Sequence, residues 1–326
     1  MKPSLLRMKP LLIPRLLAAG LVGVLAWAPV RAQGQPDGAA AAPAERVSTP
    51  KRADRAAMET LQIPSHGALM NALVYVAAGA GPHAAVILLH GFPGNERNLD
   101  LAQDMRRAGW DVLYFNYRGS WGTPGDFSFG HGIEDTAAAL AYLRQPAVAR
   151  QLRLDPTRIV LIGHSMGGFM AVQAAAADPA IKAFATISAF DMGGIFQQML
   201  ATSPPPVALQ KMSSGLANEG MAPLHGCTPD GLAREIADHA ATWAIGTKVN
   251  ELKHRAALVV TSDDGLAEAN EAFAAGLRRA GDTRVTSLHL ATDHAYSDQR
   301  TELSKAVLEW LAGLRVNATR NALAGV

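Results

Sequence analysis

The stretch Arg158-Ile159-Val160-Leu161-Ile162-Gly163-His164-Ser165-Met166-Gly167-Gly168-Phe169-Met170-Ala171 carries three signals in succession. Its apolar run at 159–162 fits a strand covered on both faces. Gly163-His164-Ser165-Met166-Gly167 then fits G-x-S-x-G, a sharp strand-to-helix turn that projects a serine hydroxyl and aims the next amide at an oxyanion. Glycines two before and two after the serine let strand and helix close up without a Cβ between them. The Ala-rich run at 168–177 reads as the helix. The five-residue pattern alone is weak in a chain with 30 glycines among 326 residues. Strand before and helix after make Ser165 the predicted nucleophile.

Working outward, similar apolar runs recur at 85–89, 112–115, 183–187, 257–260 and 285–288. Helical patterns lie near 97–108, 132–145, 166–178, 267–280 and 299–314. Strand then helix, repeated, predicts a doubly wound, mostly parallel α/β sheet with right-handed crossovers. Ahead of these, 61–63 and 72–76 suggest an antiparallel opening pair. Only 190–255 breaks the alternation, with a Ser203-Pro204-Pro205-Pro206 break and mixed helical segments rich in Met and Ala. Such a length is too great for an ordinary connection. It predicts an inserted, mostly helical cap, with Ile195-Phe196, Met199-Leu200 and Val207-Ala208-Leu209 lining an apolar pocket.

The N-terminus follows a different logic. Lys2, Arg7, Lys9 and Arg15 precede an apolar stretch at 16–28, and Pro29-Val30-Arg31-Ala32 ends in small side chains. This is the pattern of a secretory signal peptide over 1–32, too short for a comfortable membrane span. Residues 33–55 read as a flexible leader, 56–316 as the folded domain and 317–326 as a tail. Export to the periplasm or outside the cell is expected, with no membrane attachment after cleavage. Residues 1–32 hold five basic and no acidic residues, so the formal charge of +2, less five, becomes −3. The basicity therefore belongs to the targeting segment and does not argue for nucleic acid. Cys227 is the single cysteine, which excludes an intrachain disulfide and a multi-thiolate zinc site. No H-E-x-x-H spacing occurs, and no G-x-G-x-x-G follows the first sheet strand, so neither a metal nor a dinucleotide cofactor is expected.

The remaining chemistry is sought at the C-terminal ends of strands, where open α/β sheets place it. His90-Gly91-Phe92-Pro93-Gly94 follows a buried strand, and the amides of Phe92 and Met166 are the expected oxyanion donors. Among ten histidines, His294 lies in the loop between the last strand and the last helix and is the expected base. His164 is expected to point away from Ser165, and His289 to be structural. The acid that orients the base has three candidates after strands: Asp264, Asp263 and Asp191.

With these motifs in family order, residues 58–315 resemble the α/β-hydrolase superfamily. The resemblance places the family's acid on Asp264, before Gly265-Leu266, and implies a Ser165–Asp264–His294 triad. Asn116-Tyr117-Arg118-Gly119-Ser120-Trp121-Gly122, with Glu134-Asp135, is similar to the catalytic domain of prolyl oligopeptidase-like peptidases and their esterase relatives. In that segment the Arg118-Gly119 pair is expected to shape a loop beside the site. An internal cap rather than an N-terminal propeller is expected to screen the site, which favours a small ester or acyl substrate over a peptide. An exo- or oligopeptidase, or a catalytically silent binding protein, are the alternatives.

Overall fold

The computed structural model describes residues 54–324, with side chains placed through residue 315. The expected signal segment and nearly all of the leader lie outside the described residues. The strands β1 (Ala57–Ser65) and β2 (Ala68–Val76) pair antiparallel around His66-Gly67, both at positive φ. Next come β3 (His83–Leu89), α1 (Leu99–Arg107), β4 (Asp111–Phe115), α2 (Phe129–Leu143) and α3 (Pro146–Leu152). They are followed by β5 (Leu154–His164), α4 (Met166–Ala177) and β6 (Ala183–Ile187). Between β6 and the next strand run α5 (Met192–Thr202), α6 (Pro205–Asn218), α7 (Pro229–Trp243), a 3-10 turn (Ile245–Lys248) and α8 (Val249–Leu252). The chain closes with β7 (Ala256–Ser262), α9 (Ala267–Arg279), β8 (Val285–Leu290) and α10 (Arg300–Ala324).

The eight strands form one sheet in the order β1-β2-β4-β3-β5-β6-β7-β8. β2 meets β4 antiparallel, and every pairing from β4 to β8 is parallel. The chain steps from β3 to β4 on one side, then returns to set β5 on the other side of β3. The loops leaving β3 and β5 therefore diverge at a topological switch point, where open α/β sheets bind ligands.

Alternation within each strand feeds two cores, because successive side chains point to opposite faces. Ile87, Leu89, Leu113, Leu161 and Val259 pack with α2, α4 and the helices after β6. Val86, Leu88, Val112, Ile162 and Val260 pack with Leu101 and Met105 of α1 and with Leu303, Val307 and Leu311 of α10. The last three recur every fourth residue, one stripe of a helix. Helix α4 has no such stripe, since all of Met166 through Ala175 is buried.

The expected strands and helices overlap these elements to within a few residues, with three differences. Helix α3 has Pro146 in its first turn but is too short for a hydrophobic period to show. Strand β8 carries only half-buried and exposed residues, because it is a sheet edge and not an interior strand. The last helix continues to Ala324, beyond the pattern read to residue 314.

Candidate active site

Ser165 sits between β5 and α4 at φ 55°, ψ −122°, a conformation L-residues rarely adopt. Main-chain bonds over-determine it. Its amide donates to the Ile187 carbonyl at 2.9 Å, and its carbonyl accepts from Gly168 at 2.9 Å and Phe190 at 3.0 Å. A Cβ on Gly167 would lie 2.0 Å from the Leu89 carbonyl oxygen, and one on Gly163 would lie 1.9 Å from that of Gly167. The start of α4 thus packs directly on the ends of β3 and β5, which only glycine permits.

The turn after β3 closes on the same point. A Cβ on Gly91 would fall 3.5 Å from Ser165 Oγ. Phe92 and Met166 both border the cavity that Ser165 faces. Met166 opens α4, so its amide has no acceptor within the helix, and the helix end carries partial positive charge. Trp121 Nε1 donates to the Pro93 carbonyl at 2.7 Å, and the Arg97 guanidinium lies 4.0 Å from that indole ring. The loop after β4 therefore braces the turn after β3.

Of the three carboxylates considered from sequence, Asp264 is the one that meets His294, accepting from Nδ1 at 2.7 Å. Asp263 is exposed and contacts His289 Nε2 at 3.1 Å. Asp191 caps α5, accepting from the amides of Gly194 at 3.1 Å and Ile245 at 3.0 Å. The Asp264 side chain is 3% exposed and that of His294 41%. Burial favours the neutral carboxyl of Asp264, but hydrogen bonds from His294, Ser188, the Leu266 amide and Ser262 outweigh it and hold its pKa well below the carboxylate range. Donation from Nδ1 to the carboxylate leaves His294 Nε2 as the nitrogen without a proton.

Two supports escaped the reading of sequence. Under Asp264, Ser188 Oγ lies 3.0 Å from Ser262 Oγ and 2.8 Å from the Tyr296 hydroxyl. The three come from the ends of β6 and β7 and the loop before α10, so no local pattern joins them. Burial pushes the Tyr296 phenol up to about 12, which keeps it a neutral donor. His164 is the second support. Its Nε2 donates to the His294 carbonyl at 2.8 Å, and the two rings lie 4.7 Å apart. The buried histidine before Ser165 thus holds the backbone of His294.

Burial lowers the pKa of both His90 and His164 from 6.5 to about 4. Between those values the unfolded chain binds more protons than the folded one, so stability falls as pH falls through that window. The full difference corresponds to roughly 3 kcal/mol per histidine. Urea unfolding from pH 7 to pH 4.5 should show this decline, and His164→Asn should flatten it whatever its stability at pH 7. An unchanged slope would contradict the assignment.

Ser165, Asp264 and His294 line one cavity of about 460 Å³ with Phe92, Phe129 and Phe190. Ile195 and Met199 of α5 complete it as expected. The other expected lining residues do not. Phe196 and Ala208 are buried in the core, while Leu200 and Val207 are exposed. Leu209 packs against the core instead. The facing side of α6 is Lys211, Met212, Gly215 and Leu216, followed by Glu219 at its C-terminal cap, a helical spacing one turn later than the apolar run suggested. Lys211 and Glu219 put opposite charges on this wall.

The loop after β4 is held from below. Arg118 pairs with fully buried Asp135, Nε to Oδ1 at 2.6 Å, and also with Glu134. Ser65 adds a bond to Asp135 at 2.6 Å. Removing one partner of such a buried pair typically costs ~3–5 kcal/mol, so the expected loop-shaping position of Arg118 has a structural cause. Among the described residues, no group of three or more His, Cys, Asp or Glu side chains is placed to hold a metal ion.

A family model described as the alpha/beta hydrolase fold matches residues 84–220, spanning both the turn after β3 and the Ser165 turn. The chain has the alpha/beta hydrolase fold. Solved structures with this hydrolase fold include an esterase of Pyrococcus furiosus, 16% identical, covering 79% of this chain and 91% of its own at TM-score 0.56. Est1E of Butyrivibrio proteoclasticus with bound ferulic acid is 18% identical, with coverage of 78% and 98% and TM-score 0.59. An acylaminoacyl peptidase of Pyrococcus horikoshii is 18% identical at TM-score 0.56, but only 41% of that chain is covered. In sequence, an uncharacterised protein of Mycobacterium tuberculosis is 35% identical over 106 residues. That match covers 32% of this chain and 35% of the relative's length.

Proposed function

We propose that this protein is a serine hydrolase of carboxylic esters. Ser165 Oγ attacks the acyl carbonyl while His294 Nε2 takes its proton, and the Asp264 carboxylate holds the imidazole and stabilises its cation. The amides of Phe92 and Met166 stabilise the oxyanion. His294 then protonates the leaving alcohol, and a water activated by the same nitrogen releases the acid. The 2.7 Å bond between His294 and buried Asp264, beside a strained serine in one cavity, carries this reading.

The mostly apolar cavity favours a small-molecule ester or acyl substrate. The charged Lys211 and Glu219 keep the peptidase alternative in view, since either could meet a peptide terminus. The basic, apolar and small-residue pattern of residues 1–32 supports action after export.

A fluorophosphonate probe should label the purified protein once, with the adduct mapping to the peptide bearing Ser165. p-Nitrophenyl butyrate should be turned over, and aminoacyl amides much more slowly. Labelling elsewhere, or none, would sink the hydrolase reading. Faster amide cleavage would move it to the peptidase.

A further inference from the structure

A second cavity, of about 510 Å³, lies between α5, α8 and α9. Ile195 borders both this space and the cavity of Ser165, and among the described residues it is the one side chain common to the two linings. The geometry of α5 explains the division. Ile195 and Met199, one turn apart, face Ser165, while Asp191, Gly194 and Gln198 face the second cavity. The same handover occurs at α9. Leu266, just before it, borders the Ser165 cavity, and Ala269, Phe273 and Gly276 continue along the second. Ile195 is therefore the side chain at which the two linings meet.

We propose that Ile195 is the partition that limits how long an apolar arm of the substrate the Ser165 cavity accepts. The proposal rests on the reading of Ser165 as the acylated residue. With Ile195 in place, a short arm fills the space beneath Phe92 and Phe190, and a longer one meets the isoleucine. Without it, the arm can run past Gly194 along Val249, Ala269, Ala272 and Phe273, with the polar Gln198 and Arg279 also on that wall. A methylene accommodated or refused in an apolar pocket changes selectivity by ~10-fold or more, so one branched side chain at this point is enough to set a length limit.

The test compares wild type with Ile195→Ala, Ile195→Val and Ile195→Phe. One series pairs p-nitrophenyl butyrate with p-nitrophenyl dodecanoate, and a second pairs butyl acetate with dodecyl acetate. Ile195→Ala should raise the long-to-short ratio of kcat/KM by ~10-fold or more in at least one series, chiefly through KM. Ile195→Val should move it less in the same direction, and Ile195→Phe the opposite way. Thermal melting and the rate of fluorophosphonate labelling separate this from loss of fold. Normal labelling with unchanged ratios in both series overturns the partition alone. Absent labelling in wild type overturns the hydrolase reading and the partition together.

Discussion

Ser165→Ala is expected to lower turnover of p-nitrophenyl butyrate by ~10⁴- to 10⁶-fold while the protein melts as wild type does. The selectivity of this loss follows from how the turn is built. Its positive φ is held by the Ile187 carbonyl and the Gly168 and Phe190 amides, all main-chain partners that alanine keeps. The substitution removes one oxygen from a half-buried side chain and leaves no buried group unpaired. Melting temperature and near-UV circular dichroism establish the fold, and steady-state kinetics measure the loss. Residual activity near wild type would remove Ser165 from the chemistry, and with it the proposed function.

The second large effect belongs to the acid. Asp264→Asn is expected to lower kcat by ~10⁴-fold, whereas Asp263→Asn should stay within a few-fold of wild type. The difference lies in the tautomer. The carboxylate accepts from His294 Nδ1 and leaves Nε2 free to take a proton. An asparagine that presents its NH₂ group to the ring would reverse that arrangement. Asp263 makes its contact with His289 on the edge strand β8, away from this bond. The pKa of Asp264 is depressed, so the carboxylate and its contribution to stability are fully present above the ordinary carboxylate range. Below that range the stability contribution declines progressively toward the lower folded value, and the carboxylate itself persists until that value is reached. Loss of activity on mild acidification should therefore not track Asp264. Equal losses in the two variants would overturn the assignment.

Much of this architecture is legible in local patterns, because the physics is local. A continuous apolar run such as 159–162 suits a strand covered on both faces, and its residues divide between two cores. The Ser165 turn is legible because its glycines answer steric demands a few residues away. His294 is legible because it occupies a loop at a strand end. Strand β8 was misread as interior because Val285, Leu288 and Leu290 carry β-propensity whether or not a neighbour covers the outer side. The face of α6 was misplaced for a similar reason. Val207 and Leu209 are apolar, yet the packing of α6 against α5 and α7 turns Lys211 and Gly215, with Glu219 just beyond them, toward the cavity.

By itself the sequence determined that a strained serine turn would join a buried strand to a buried helix within an α/β sheet. That follows from glycine spacing and hydrophobic period, which act over a few residues. It also confined the acid to three carboxylates, because each follows a strand. Only the tertiary structure sets one of them, Asp264, against His294. The choice depends on which loop ends meet across the sheet, and Asp264 and His294 are brought together by the parallel pairing of β7 with β8. The same holds for Ser188, Ser262 and Tyr296 beneath that pair, for His164 against the His294 carbonyl, and for Ile195 between two cavities. Such contacts join residues dozens of positions apart, and a pattern read along the chain has no term for them.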